Sequence, residues 1–174
     1  EVLEAVRTGA VDMAFTNSTA ARAKLMDFAQ PYLEIELGYL VPKDGKLSSI
    51  GDIDAKGVRV GVTQGSTSDS TLSRDLKNAE IVRSVTLKDG VDALAAGKID
   101  AYATNKATLF EMAEQLPGSK VLDGRWGLER HAIAIPKGRD AGLDYLRAFT
   151  DAIRKDGLVK AAASRAGLRG TAQD

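Results

Sequence analysis

The stretch VDMAFTNSTAARAKLMDFAQPY, residues 11–32, decides how the rest of the sequence is interpreted. Its apolar start, residues 11–15, predicts a buried strand, and the polar run TNSTAAR follows it directly. Such a strand would bring Thr16, Asn17, Thr19 and Arg22 to one exposed edge. Ligands of α/β sheets bind beyond the carboxyl ends of the strands, and a guanidinium suits a small carboxylate. We therefore predict an anion-binding loop, although a solvated loop charge is the commoner role for an arginine after a strand.

Composition excludes several classes of protein. The 174 residues are 44% hydrophobic and 28% charged, as in an ordinary globular chain, and no apolar run is long enough to span a membrane. The 24 basic residues balance the 24 acidic ones, which argues against a nucleic-acid partner bound through phosphate neutralisation. Because the chain has no cysteine, it can form neither a disulfide nor a thiolate nucleophile nor a cysteine-ligated metal site.

Helices alternate with short strands along the chain. The opening EVLEAVRTG, residues 1–9, predicts a helix that ends at Gly9. Further strands are predicted at 58–62, 81–85, 99–103, 120–122 and 131–135. Helices are predicted to begin near Asp69, to cover 89–96 and 106–116, and to form a pair beyond Gly138. This alternation favours a parallel, doubly wound α/β sheet.

Four segments in order resemble family 3 extracellular solute-binding proteins. They are DMAFTNSTAARAKLMDFAQPY (12–32), DIDAKGVRVGVTQGSTSD (52–69), AAGKIDAYATNKATL (95–109) and FTDAIRKDGLVKAAASRAGL (149–168). The resemblance implies a periplasmic-binding-protein-like (type II) fold, in which two doubly wound lobes are joined by two hinge crossings. It places lobe 1 at residues 1–34 and 134–174 and lobe 2 at residues 38–131. Compared with the family, the opening strand, helix and next strand of lobe 1 are missing, so we expect lobe 1 to be incomplete and the natural protein to be longer.

The same resemblance implies a function. Members of the family are periplasmic receptors that capture an amino acid or related organic acid between closing lobes and deliver it to the membrane permease of an ABC transporter. We accordingly expect a small carboxylate-bearing ligand, and no catalytic residue, cofactor, metal or nucleic acid. Two alternatives stay open, namely a dehydratase-type enzyme on the same fold and the ligand-sensing domain of a larger receptor. A signal peptide is not present in the sequence.

The resemblance also assigns binding residues. The arginine matching Arg22 holds the ligand carboxylate from lobe 1, where Asn17 and Thr19 accompany it, and the segment matching Ser66 and Thr67 holds it from lobe 2. In TQGSTSD, residues 63–69, the amides of residues 66–68 are expected to point outward at the start of a helix, where its dipole favours an anion. The alternative is simply a well-capped helix start.

Asn105 departs from the family pattern. Amino-acid-binding members usually carry an aspartate there, which neutralises the ammonium group of the ligand. Asparagine accepts a hydrogen bond but supplies no charge, and it is also a favoured first residue before a helix. An ordinary α-amino acid is therefore expected only if Asp69, Asp100 or Glu129 provides the missing charge.

Other polar and aromatic residues have ordinary structural explanations. The single histidine, His131, begins a predicted strand without any nucleophile motif, so we interpret it as structural. Asp52 and Asp54 suit capping better than acid/base catalysis. Trp126 could line the binding cleft or lie partly buried in a core.

Overall fold

The computed structural model describes residues 2–172, which form eight strands and six α-helices. The strands are β1 (Ala14–Asn17), β2 (Met26–Phe28), β3 (Leu33–Val41), β4 (Arg59–Thr63), β5 (Glu80–Ser84), β6 (Ala101–Asn105), β7 (Lys120–Val121) and β8 (Gly127–Pro136). The helices are α1 (Val2–Thr8), α2 (Thr67–Asp75), α3 (Leu87–Ala95), α4 (Lys106–Gln115), α5 (Asp140–Lys155) and α6 (Leu158–Arg165).

These elements belong to two compact units. Unit 2 is Glu36–Leu128, and unit 1 contains the described residues before Glu36 and from Glu129 onward. The chain passes from one unit to the other within β3 and again within β8.

In unit 1, two short strands pair with one long strand. Both β1 and β2 run antiparallel to β8, with Ala14 opposite Ala134 and Asn17 opposite His131 in the first pair. The helix α5 buries Leu143 and Leu146 against Ile133 of β8, which follows from its apolar face at helical spacing. The described part of the predicted first helix is α1, followed by Gly9 at φ +72°, a conformation that glycine adopts without strain. Residue 1 of that prediction lies outside the described residues.

The strand predicted at 11–15 is wrong in its bounds. The observed β1 starts later and includes Thr16 and Asn17, which the sequence pattern assigned to a loop. The reason is the ladder with β8, because Thr16 lies opposite Ala132 and Asn17 opposite His131. Pairing across the chain therefore overrides the local change from apolar to polar residues.

In unit 2, β4 pairs in parallel with β5 and with β6. The strand β3 is antiparallel to β6, and the short β7 is antiparallel to β3. The expectation of a purely parallel sheet is therefore only partly right, since the observed sheet is mixed. Helices and sheet bury two apolar clusters, one around Tyr39, Val60 and Leu122 and one around Leu40, Tyr102 and Leu109.

Tyr102 is held in a narrow space in unit 2. A side-chain carbon added at Gly61 or Gly90 would overlap its ring, so only glycine allows these backbones to approach it. The phenol oxygen lies 2.7 Å from Thr63 Oγ1, at the carboxyl end of β4. This contact fixes the end of the strand from which the loop containing Ser66 departs.

Candidate functional site

The loop after β1 is folded around Arg22. The amide of Arg22 donates to Thr19 Oγ1 at 3.2 Å, and a short 3-10 turn begins at this residue. Its guanidinium Nη1 donates to Thr16 Oγ1 at 2.9 Å and to the backbone oxygen of Asn17 at 3.3 Å. The side chain is thus fixed at the end of β1 by partners that carry no charge, and the predicted binding residues Asn17 and Thr19 come together with it.

Arg22 forms no ion pair with any residue in the described range 2–172. Burial lowers the pKa of the Arg22 guanidinium, and the nearby charge of Glu129 acts in the opposite direction. A guanidinium stays protonated at any physiological pH, so Arg22 is a half-buried cation. Such a group gains most from an anion that meets it with two oxygens.

Three side chains from β1 and β8 meet beside this arginine. The side-chain amide of Asn17 donates to Glu129 Oε1. The Nε2 atom of His131 lies 3.5 Å from Glu129 Oε2. Asn17 lies opposite His131 in the ladder, and Glu129 lies two positions from His131 on the same face of β8. His131 therefore lies beside the polar side chains of Asn17 and Glu129 at the end of β1.

The second predicted loop, in unit 2, has a different local structure from the one expected. Ser66 caps α2, with its hydroxyl accepting from the amide of Asp69 at 3.0 Å. The amide of Ser66, which was expected to point outward, donates instead to Thr63 O at 3.1 Å. That part of the prediction is wrong, because a turn at the end of β4 uses the amide. An anion at this position would therefore have to bind the amides in the first turn of α2, which have no acceptor within the helix.

Asn105 serves as the cap of a helix. Its side-chain oxygen accepts from the amide of Thr108 at 3.0 Å at the start of α4. It follows β6, and Ser66 and Thr67 follow β4, which runs parallel to β6. The carboxyl ends of parallel neighbours share one edge of a sheet, so the three predicted lobe-2 residues belong to the same edge of unit 2.

Two of the three acids that could replace the missing aspartate charge are bound to arginines. Asp69 is buried and lies 2.9 Å from Arg83 Nη2, and it also accepts from the Gly65 amide. Asp100 accepts from the side chain and the backbone amide of Arg59, with the closest ion-pair distance at 2.9 Å. Both carboxylates therefore stabilise unit 2. Glu129 belongs to unit 1, where it contacts Asn17 and His131.

The sequence pattern missed one ion pair at this edge of unit 2. Lys106 Nζ lies 2.6 Å from Glu36 Oε2, and the two side chains are only 12% and 26% exposed. Arg125 approaches the other oxygen of Glu36 at 3.3 Å, and these cations lower the pKa of the Glu36 carboxyl, with the Lys106 hydrogen bond as the largest cause. The alternation of Glu34 and Glu36 within an apolar strand was the available signal, but it does not identify a partner 70 residues away.

The remaining candidates have structural roles. Asp52 accepts from the amides of Ser48 and Ser49, and Asp54 accepts from three successive amides at residues 77–79, so both are capping carboxylates as predicted. Trp126 packs against the unit 2 core and donates its indole proton to Gly38 O at 3.0 Å, which favours the core interpretation. Residues 2–172 contain no group of histidines and acids that could hold a metal ion. In the same range no helix combines the length and apolarity needed to cross a lipid bilayer.

Comparison with known proteins identifies the family of this chain. The sequence pattern of the bacterial extracellular solute-binding proteins, family 3, matches residues 1–166. The glutamine-binding protein of Geobacillus stearothermophilus is 33% identical over 119 residues, which are 68% of this chain and 45% of that protein. The chain spans about half the length of the curated relatives that it matches.

Solved structures of solute-binding proteins also match most of this chain. The solute receptor for L-cysteine of Neisseria gonorrhoeae superposes with a TM-score of 0.81 at 30% identity, over 94% of this chain and 67% of that one. An ancestral arginine-binding protein bound to glutamine also gives a TM-score of 0.81, at 26% identity, over 97% of this chain and 76% of that one. These relatives are named for binding amino acids rather than for a reaction. The chain described here belongs to family 3 of the bacterial extracellular solute-binding proteins.

Proposed function

We propose that this chain binds an amino acid or a related carboxylate-bearing solute for an ABC transporter, without chemical conversion of the ligand. The observation that carries the proposal is the Arg22 guanidinium, which Thr16 and Asn17 fix at the end of β1 and which no described acid neutralises by an ion pair. An immobilised cation of this kind suits a ligand carboxylate, since little side-chain freedom remains to be lost on binding. Family membership and the amino-acid names of the relatives support the choice of ligand.

The proposal extends to a two-lobed mechanism. In it, residues 1–34 and 134–174 form lobe 1 and residues 38–131 form lobe 2 of a type II fold, with hinge crossings near 33–37 and 130–135. Arg22 with Asn17 and Thr19 binds from lobe 1, and Ser66, Thr67 and Asn105 bind from lobe 2. A ligand that contacts both lobes has its full affinity only for the closed state, so binding shifts the population toward closure. The closed receptor then docks on a membrane permease in the periplasm.

Ligand binding is tested on the purified full-length protein that contains these 174 residues. A thermal-unfolding screen would use glutamine, arginine, histidine, cystine and glutamate, together with simple carboxylates that lack an ammonium group. A ligand at about a hundredfold excess over Kd stabilises the folded state by about 2.7 kcal/mol, which gives a measurable rise in Tm. Isothermal titration calorimetry would then give the Kd of each hit. If no amino acid or carboxylate raises Tm or releases heat on titration, the proposed function is wrong.

Closure is tested separately by small-angle X-ray scattering. A decrease in the radius of gyration at saturating ligand supports the two-lobed mechanism. Tight binding with an unchanged radius of gyration would retain the binding function and refute the closure step.

A further inference from the structure

We propose that unit 1 contains a second ligand site, in a cavity beside α6, and that this site binds a small dicarboxylate. The cavity has a volume of about 870 Å³, which is a usual size for a small-molecule site. Its walls come from the start of β3, from β8, from the end of α5, from α6 and from the residues that follow α6. The candidate site around Arg22 has no residue in common with these walls, so the inference does not depend on the proposed function.

The space is left open by the short side chains of α6. This helix lines the cavity with Val159, Ala163 and Ser164, and it buries none of its residues. The preceding helix α5, by contrast, buries Leu143 and Leu146 against β8. The side chains of α6 are therefore too small to fill the gap that they line, and a concave space of this kind is where small molecules bind.

The charges on the cavity wall are unbalanced. The wall contains the cations Arg130, Arg154 and Lys160 but only one acid, Glu34. Arg130 Nε lies 2.7 Å from Glu34 Oε1, so the charges of that pair cancel. Arg154 and Lys160 form no ion pair with any residue from 2 to 172. The wall thus has two positive charges for which the described part of the chain supplies no counter-charge.

Two such cations suit a ligand with two carboxylates. Arg154 lies in the last turn of α5 and Lys160 in the first turn of α6, so the two cations flank the turn at Gly157. Leu33 and Leu168 add apolar surface to the same wall. A dicarboxylate on a short aliphatic chain could place a carboxylate near each cation and remove its methylene groups from water.

The experiment uses adipate as the probe and 1,6-hexanediol as an uncharged control with the same length of carbon chain. Both are titrated by calorimetry into the full-length protein that contains these residues, with the best amino acid from the ligand screen present at saturation. Succinate and suberate vary the distance between the carboxylates. We expect adipate to bind with a stoichiometry of one per chain and the diol to release no heat of binding.

Arg154→Ala and Lys160→Ala should each weaken adipate binding by about five- to tenfold, the range between an exposed ion pair and a hydrogen bond to a charged group. Ala163→Phe should also weaken binding, because it fills the cavity and leaves the cations in place. Lys155→Ala and Arg165→Ala are the matched controls, since both residues are exposed cations of the same two helices and neither lines the cavity. These controls should bind adipate as the parent does, and circular dichroism establishes that each variant is folded.

Arg22→Ala distinguishes the two sites. It should lose affinity for the amino acid and keep its affinity for adipate, because Arg22 does not line the cavity. If adipate competes with the amino acid and loses affinity in Arg22→Ala, it binds only at the candidate site and the second site is refuted.

Two other results would also overturn the inference. One is the absence of binding of all three dicarboxylates by the parent. The other is unchanged adipate affinity in folded Arg154→Ala and Lys160→Ala, which would leave Arg154 with the ordinary role of a cation at a helix C-terminus. A parent that binds adipate but no amino acid would refute the proposed function and support the second site.

Discussion

Removal of the Arg22 guanidinium is the most direct perturbation of the proposed site. In Arg22→Ala the ligand carboxylate would lose its cationic partner inside a partly buried loop, and truncations of this kind weaken binding by about 2 to 5 kcal/mol. At about 1.4 kcal/mol per decade, this corresponds to an increase in Kd of roughly thirtyfold to several thousandfold. Arg22→Lys should restore only part of the affinity, because a point charge does not reproduce the planar fork of the guanidinium.

The same substitution should have a modest effect on folding. Arg22 donates to Thr16 Oγ1 and to Asn17 O, both uncharged acceptors. At about 0.5 to 1.5 kcal/mol for each hydrogen bond, Arg22→Ala should lower the free energy of unfolding by about 1 to 3 kcal/mol. Urea denaturation followed by circular dichroism measures this loss, and it sets the conditions under which the variant is folded for titration.

Calorimetric titration with the best amino acid from the ligand screen then measures the change in Kd. Arg147→Ala is the matched control, because Arg147 is exposed on α5 and lies 3.4 Å from Asp144, outside the loop. The control should bind as the parent does. If folded Arg22→Ala binds as tightly as the parent, Arg22 is a structural residue of the loop and the anion-binding interpretation is wrong.

Three further predictions concern unit 2. Burial raises the pKa of Asp69, but hydrogen bonds from the Gly65 amide and from Arg83 have the larger combined effect, so the pKa is lowered in the folded state. The stability that Asp69 contributes is therefore present above its unfolded pKa of about 3.9. This stability is lost as the pH falls through the folded pKa. Asp69→Asn should therefore lower the free energy of unfolding by about 1 to 3 kcal/mol at pH 7. Below about pH 4 its free energy of unfolding should depend less on pH than that of the parent. An equal pH dependence in urea denaturation would contradict this prediction. Gly90→Ala should destabilise the chain by about 1 to 3 kcal/mol through overlap with the Tyr102 ring, and an unchanged Tm would show that the ring can move. Asn105→Asp should keep the helix cap and increase the preference for ligands with an ammonium group over deaminated analogues, which competition binding would measure.

The order of helices and strands could be predicted because hydrophobic periodicity is a local property. The helix pair beyond Gly138 and the helix end at Gly9 both follow from neighbouring residues, and the structure confirms α5 at Asp140–Lys155, α6 at Leu158–Arg165 and Gly9 at φ +72°. Strand direction could not be predicted in the same way. A strand such as β3 has the same pattern whether its neighbour runs parallel or antiparallel, so the antiparallel pairing with β6 was missed.

The residues of the candidate loop could be predicted from the sequence, but the charged groups around it could not. Arg22, Thr16 and Asn17 are close in sequence, and a strand followed by a polar loop was enough to group them. Glu129 lies 112 residues from Asn17, and only the register of β1 against β8 brings the two together. The sequence allowed three acids for one missing charge, and only the structure shows that Asp69 and Asp100 are bound to arginines in unit 2.

Neither helix stability nor a neighbouring charge requires an acid at residue 105. Asparagine and aspartate cap a helix about equally well, so the start of α4 places no demand on charge. The neighbouring Lys106 is already neutralised by Glu36, so no local cation calls for an aspartate at 105 either. In the proposed function, the cation that an acid at residue 105 would bind is the ammonium group of a ligand. Asn105→Asp should accordingly change ligand preference without changing stability, because the start of α4 keeps its cap while ligands with an ammonium group gain affinity over their deaminated analogues.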